Sequence, residues 1–278
     1  MRKPVNIAAY KPHLDALYAV FDRREFVHPD PLEFLYRYED SADREVAGVV
    51  ASALAYGNVR QILRSVETVL ERLGPSPARA IERSSLASLE KTLGGFRHRF
   101  TSGSELALLL FAAGRVRRKS GSLNACFLAG LDGSADVRPA LTAFVADLNA
   151  AAGRPLGYLA PSPERGSACK RWNLFLRWMV RRDHVDPGGW QGVPASKLII
   201  PVDTHIHRIG LALGLTARRQ ADLRAAVEIT DALRQIAPDD PVRYDFSLSR
   251  LGMRRDGQLD NLLHLCGRAM PQKAVHHE

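Results

Sequence analysis

The sequence predicts an all-α protein. Three observations carry that prediction. Apolar residues recur at three- and four-residue spacing through most of the 278 positions. One apolar run reads as a strand, Lys197-Leu198-Ile199-Ile200-Pro201-Val202, and its Pro201 argues against a central strand. No longer repeat is present, which excludes a solenoid. About ten helices are expected on this pattern.

The elements follow in order. Between Asp43 and Leu73, Val46, Val49, Val50, Ala53, Leu54, Ile62, Val66 and Leu70 trace a buried helix face. Tyr56-Gly57-Asn58 breaks it into two helices. Ser102 to Gly114 reads as another helix, with Ser102 or Ser104 as its N-cap. Val137 to Ala151 carries Leu141, Phe144, Val145 and Leu148 at helical spacing. Ser167 to Arg182 is amphipathic, with Trp172, Phe175, Leu176 and Met179 on one side and Lys170, Arg177 and Arg181 on the other. Thr204 to Leu215, Arg219 to Ile236, Pro241 to Gly252 and Gln258 to Gly267 complete the set. Gly153 to Gly166 and Asp183 to Pro194 are loops, rich in Gly, Pro or charge.

Composition narrows the function classes. Hydrophobic residues make up 46% and charged residues 25%, the balance of a globular core rather than a disordered chain. The apolar stretch Leu106 to Gly114 is far short of the ~20 residues of a membrane helix. The first residues, Met1-Arg2-Lys3-Pro4-Val5-Asn6, have no signal-peptide apolar core. Cys126, Cys169 and Cys266 make no disulfide framework, so a reducing cytoplasm is expected. The net charge is +9. Residues 1–150 hold 20 Lys and Arg against 17 Asp and Glu, and residues 151–278 hold 19 against 13. Such a balance favours polyanionic partners without demanding them. Only seven of the 39 cations are lysines. Arginine does not surrender its proton, so amine chemistry has few candidates.

Residues 163–208 carry those candidates. Gly166-Ser167-Ala168 leads through a turn into a helix whose first turn holds Lys170. Free N–H groups and the helix dipole make such a terminus an anion site. Asp203 ends an apolar run and opens the next helix. Taken alone, it is an N-cap contributing ~1 kcal/mol, and Lys170 is a solvated helix lysine.

Val202-Asp203-Thr204-His205-Ile206, with Arg208 after it, resembles the stretch that holds the catalytic aspartate of endonuclease III-type enzymes in the helix-hairpin-helix DNA glycosylase superfamily. Gly166-Ser167-Ala168-Cys169-Lys170 is similar to the hairpin that supplies their catalytic lysine. Ala168 replaces the hairpin's second Gly, and Trp172 stands where a small residue is usual. Lys170 and Asp203 lie 33 residues apart, longer than in endonuclease III. That gap is more like the archaeal 8-oxoguanine glycosylases, whose Pro-Val-Asp motif is also similar. This resemblance covers about residues 160–255. The whole chain, through Tyr56-Gly57, Asn173-Leu174-Phe175-Leu176-Arg177-Trp178 and Asp240-Pro241-Val242-Arg243-Tyr244-Asp245-Phe246, also looks like a bacterial family with no assigned function.

The resemblance implies a two-lobed helical glycosylase-type fold with a degenerate hairpin and a cleft between lobes. One lobe would span about 41–165, the hairpin and catalytic segment about 166–203, and the second lobe about 1–40 plus 204–278. It implies base excision with strand cleavage on an oxidised base such as 8-oxoguanine in double-stranded DNA, by a cytoplasmic, nucleoid-associated monomer. Lys170 would be the nucleophile, forming a Schiff base, and Asp203 the carboxylate that stabilises the opening sugar. Lysine at its reference pKa of ~10.4 is less than ~0.1% neutral at pH 7, so the site must depress it. Asp203 would oppose that, so it is expected to stand apart from Lys170 in the resting protein. Gly166, Ser167, Ala168, Arg171, Arg177 and Arg208 are the candidates for the DNA backbone. Tyr56, Asn58 and Trp190 are the candidates for the base pocket or strand insertion, while Trp172 and Trp178 read as core. Cys169 reads as a packing residue rather than an activated thiolate. No metal or other cofactor is expected, and with Cys266 alone near the C-terminus no iron–sulfur cluster can form.

Two other readings attach to the same residues. Asp203-Thr204-His205-Ile206-His207 resembles the Asp-x-His-x-His strand of metal-dependent barrel hydrolases. A strand would bring both imidazoles to one side, whereas a helix turns them ~200° apart. A degenerate hairpin also suits a non-catalytic DNA-binding protein with a glycosylase-like fold.

Overall fold

The computed structural model describes residues 6–131, 133–253 and 257–268. Among these residues the protein is all-α, with thirteen α-helices and a single two-stranded hairpin. The helices are α1 (Lys11–Phe21), α2 (Ser41–Ala53), α3 (Val59–Leu73), α4 (Pro77–Arg83), α5 (Leu86–Thr92) and α6 (Gly103–Ser120). They continue with α7 (Leu123–Ala129), α8 (Arg138–Ala152), α9 (Lys170–Val180), α10 (Thr204–Leu213), α11 (Leu223–Arg234), α12 (Asp245–Met253) and α13 (Gln258–Leu265). Strands β1 (Arg97–His98) and β2 (Thr101–Ser102) pair antiparallel between α5 and α6.

Local chemistry explains the helix starts. Asp40, Asn58, Ser85, Ser122 and Asp222 each accept a hydrogen bond from an N–H in the first turn of the helix they cap. Ser102 and Glu105 exchange bonds in a full capping box at the start of α6. The break at 54–58 falls where the periodicity places it. α1, α4, α5 and α7 lie outside the helices that periodicity predicts. The last three have seven residues each, too short for the pattern to repeat. Residues 197–202 form no strand: a 3-10 turn covers Ala195–Lys197, residues 198–202 join no ladder among the described residues, and the Ile200 N–H donates instead to Thr230 Oγ1 at 3.1 Å.

One contiguous apolar core runs through the described residues. α6 packs against α4, α5, α7 and α8. α2 packs against α4, α9 and the 3-10 turn at Pro31–Arg37. α12 packs against α1, α10 and α13. α9 therefore lies along α2, with its start turned to α10. Gly114 permits the α4–α6 crossing, since a Cβ there would strike the Ile81 carbonyl. No helix among the described residues is long and apolar enough to cross a membrane.

Candidate functional site

The start of α9 is built by an irregular turn. Gly166 (φ 73°) closes the 3-10 turn Pro163–Arg165, and Cys169 (φ 46°) is left-handed immediately before the helix. A left-handed non-glycine residue is strained, and its surroundings must hold it. Here the Ser167 hydroxyl accepts the Cys169 N–H at 3.2 Å, and Asn173 Nδ2 donates to the Ala168 carbonyl at 2.9 Å. The Gly166 carbonyl accepts the Leu223 N–H at the start of α11 at 3.3 Å. Cys169 is buried, and burial pushes its thiol up to about 11, so it packs rather than reacts. Lys170 is the first residue of α9, where the first-turn N–H groups have no intrahelical acceptor.

Asp203 divides its two oxygens between tasks. Oδ1 accepts the N–H groups of His205 and Ile206, both at 2.9 Å, and caps α10. Oδ2 lies 3.8 Å from Lys170 Nζ. Both side chains are partly exposed. The amine and carboxylate thus meet across the chain, and the expected separation of the two is not found. The cap explains why: two backbone N–H groups fix the carboxylate at the mouth of α10, and the start of α9 faces that mouth.

Further along the same stripe of α9 the cations behave differently. Arg177 is 3% exposed, so it cannot meet a DNA backbone, contrary to expectation. It pairs with Asp186 at 3.1 Å and with Asp245 in a shorter contact. Arg181 pairs with Asp183, Asp186 and Asp240. Burial pushes the Asp245 carboxyl up to about 6; Arg177 opposes the rise and the Asp203 charge adds to it. Asp245 Oδ1 has no hydrogen-bond partner among the described residues.

The remaining candidates are placed as follows. Arg171 donates to the Ala53 carbonyl at 3.0 Å and to the Tyr158 carbonyl, and lies 5.6 Å from the Tyr56 ring and 5.7 Å from the Tyr158 ring. Its guanidinium braces the turn and is not free for phosphate. Arg208 is exposed and donates to the Gly252 carbonyl at 2.8 Å. Asn58 is exposed and caps α3. Tyr56 donates to the His98 carbonyl at 2.9 Å, meets Thr101 Oγ1 at 2.6 Å, and its ring stacks on Phe100. Trp190, expected as a base contact because it sits in a Pro/Gly loop, is instead buried. Its indole N–H donates to Glu45 Oε1 at 2.7 Å, and its ring packs on Phe127 and Phe175. Trp172 and Trp178 are in the core.

Residues 203–207 open a helix rather than a strand, so the metal reading loses its geometry. His205 Nδ1 faces the Gly252 carbonyl and His207 Nε2 the Arg218 carbonyl. Among the described residues no group of three or more potential ligands gathers. An open groove of about 1170 Å³ runs beside the turn, walled by Asp136, Asn149, Tyr158, Pro161, Ser167 and Leu223 among others; Lys170 and Asp203 are not in its walls.

A family profile matches residues 30–254. The chain belongs to that family, described as a protein of unknown function (DUF2400). The span matched by the DUF2400 profile takes in Lys170, Asp203, the buried arginine network and the hairpin, and leaves out α1 and α13. No curated protein and no solved structure matches the chain.

Sequence reasoning missed Phe100 and Tyr158. Phe100 sits at the hairpin tip, 58% exposed, in an aromatic group with Tyr56 and Tyr158. Arg97-His98-Arg99-Phe100 alone carries no strand signal, because each strand has two residues.

Proposed function

We propose that this DUF2400 protein is a DNA repair glycosylase of the helix-hairpin-helix type. It excises an oxidised base such as 8-oxoguanine from double-stranded DNA and cleaves the strand at the resulting abasic site. The observation that supports this reading most directly is that Lys170 Nζ and Asp203 Oδ2, from two helix starts that share no sequence neighbourhood, lie 3.8 Å apart and so within reach of one sugar. The expected separation at rest is not found, and this partly exposed contact must open when a nucleotide enters.

The chemistry asks for an amine and a carboxylate at one sugar. Asp203 takes a proton from the Lys170 ammonium and frees its lone pair. The amine attacks C1′ of a flipped nucleotide as the bond from C1′ to the base breaks, and the base leaves with the proton that Asp203 took, which returns Asp203 to a carboxylate. The ring oxygen then leaves C1′ as a hydroxyl, with one proton from Nζ, giving an iminium between Nζ and C1′. Loss of a C2′ proton expels the 3′ phosphate, which is the strand break. Asp203 also faces the positive charge that grows on the sugar. Its hydrogen bonds from His205 and Ile206 keep one oxygen fixed while the other works.

Borohydride trapping tests the reading. Duplexes carrying 8-oxoguanine, an oxidised pyrimidine, uracil or an abasic site are incubated with the full chain and reductant. A covalent protein–DNA adduct with at least one of them is expected. No adduct with any of them overturns the proposal.

A further inference from the structure

α3 carries Arg60, Arg64, Thr68 and Arg72 at four-residue intervals, opposite its buried Ile62, Val66, Val69, Leu70 and Leu73. That spacing sets the polar residues in one row, about 18 Å long at ~1.5 Å rise per residue. The row faces the β1–β2 hairpin across an open groove of about 720 Å³, and Arg97 forms part of the far wall. Among the described residues none that lines this groove is acidic. Arg60 and Arg64 are exposed and pair with no carboxylate among the described residues. Arg72 is held by the Thr92 and Gly94 carbonyls, and Arg97 Nε donates to the Arg99 carbonyl at 3.1 Å.

The hairpin that supplies Arg97 to the groove wall carries an aromatic platform at its tip. His98 is buried and anchors the hairpin, with Nδ1 at 2.9 Å from Ser65 Oγ and Nε2 at 3.1 Å from the Tyr56 carbonyl. Tyr56 and Tyr158 both reach Thr101 Oγ1, at 2.6 and 3.0 Å. Gly57 (φ 97°) lets Arg99 pass, for a Cβ there would lie 2.8 Å from the Arg99 side chain. Thus braced, the tip holds Phe100 with one face on Tyr56, centroids 4.9 Å apart and 25° between planes, and its edge contact to Tyr158 at 5.4 Å. Arg171, which follows Lys170, lies against both tyrosine rings and joins the platform to the candidate site.

We propose that this surface binds an unpaired DNA strand, with phosphates along Arg60 and Arg64 and one base stacked on Phe100. An aromatic ring fixed in water beside unpaired guanidiniums suits a ligand that alternates flat apolar faces with negative charges. A base inside a duplex has both faces covered by its neighbours, so Phe100 selects a base that is unpaired or at a junction. The protein's substrate is then a damaged DNA with a single-stranded flank. This rests on the reading of the chain as a DNA-acting protein, but not on any chemistry at Lys170.

The test uses the full chain and fluorescein-labelled DNA: a single strand, the blunt duplex of the same sequence, and that duplex with a single-stranded overhang. Polarisation is followed across a KCl series. The single strand and the overhang bind more tightly than the blunt duplex. Phe100→Ala weakens single-strand binding about 5- to 150-fold, the worth of one stacked base, and Phe100→Trp restores it. Arg60→Ala with Arg64→Ala lowers the slope of log affinity against log salt by about 1.4, for two phosphates at ~0.7 each. Equal binding of blunt duplex and single strand overturns the proposal, as does unchanged affinity in Phe100→Ala. Tighter binding of the same sequence as RNA also overturns it. Borohydride trapping on the same samples separates the two readings. An adduct with unaffected Phe100→Ala binding removes this surface alone, and a stacking loss without any adduct removes the glycosylase alone.

Discussion

Two groups of charges lie on one stripe of α9, seven residues or two turns apart, and they are built to opposite ends. Lys170 and Asp203 sit partly exposed at 3.8 Å, with a single contact between them. Arg177 is sealed off and shared between Asp186 and Asp245, and Arg181 at the helix end draws in three more carboxylate contacts. Burying charges costs several kcal/mol each, so such a cluster persists only if its pairs are complete. A partly exposed pair is worth ~0–1 kcal/mol and can be opened at little cost. The difference teaches which pair holds the fold and which is free to do chemistry. It also removes Arg177 as a phosphate ligand, because its donors are already engaged inside the protein.

The comparison is broken or sharpened by substitution, beginning with the largest effect. Asp203→Asn keeps the side-chain oxygen that caps α10 but removes the charge, so base excision falls about 10²- to 10⁴-fold while DNA affinity is unchanged. Single-turnover excision together with a binding titration checks this. Unchanged excision in Asp203→Asn would reduce Asp203 to a cap. Arg177→Met strands the buried Asp245 carboxylate and leaves Asp186 to Arg181 alone, at a cost of ~3–5 kcal/mol, which lowers the Tm by about 6–20 °C. Thermal melts monitored by circular dichroism measure it. A shift under about 1 °C would mean that the buried pairs contribute little.

Asp245 adds a pH signature on the structural side. Burial raises its carboxyl from the ordinary value of 3.8 to about 6 in the folded protein. Between those values the folded state holds a proton that the unfolded state has lost. The stabilisation from this group is therefore full below about pH 4 and is lost as pH rises through about 6. Asp245→Asn removes that step, seen as the difference between wild-type and variant denaturation curves from pH 4 to pH 7. A difference that does not change with pH would contradict it. The smallest effect belongs to the other pair. A double-mutant cycle of Lys170→Gln and Asp203→Asn gives a coupling of ~0–1 kcal/mol in stability. A coupling of ~3 kcal/mol would make Lys170–Asp203 a structural bridge like its neighbour.

Much of this division was legible in the sequence, and the rest depends on residues far away along the chain. The break at Tyr56-Gly57-Asn58, the capped start of α6 and the placement of Lys170 and Asp203 at two helix starts all follow from spacing and cap chemistry. The polar stripe Lys170, Arg177, Arg181 was visible, but not that it turns inward. Its carboxylate partners come from Asp186 in a loop and from Asp240 and Asp245, 59 and 68 residues away, and pattern within α9 cannot reveal them. Trp190 was misplaced for a related reason. A Pro/Gly loop suggests exposure, yet its indole N–H is drawn to Glu45, 145 residues back along the chain. The hairpin was invisible because two-residue strands leave no alternation, and Phe100 owes its position to Tyr56 and Tyr158.

The most direct test of the account is reductive trapping by the wild-type chain and Lys170→Gln on the same lesion-bearing duplex. The account predicts one covalent adduct with the wild type, none with Lys170→Gln, and melts of the two proteins that coincide. An adduct of equal yield in Lys170→Gln, or none in either protein on any lesion, would contradict it.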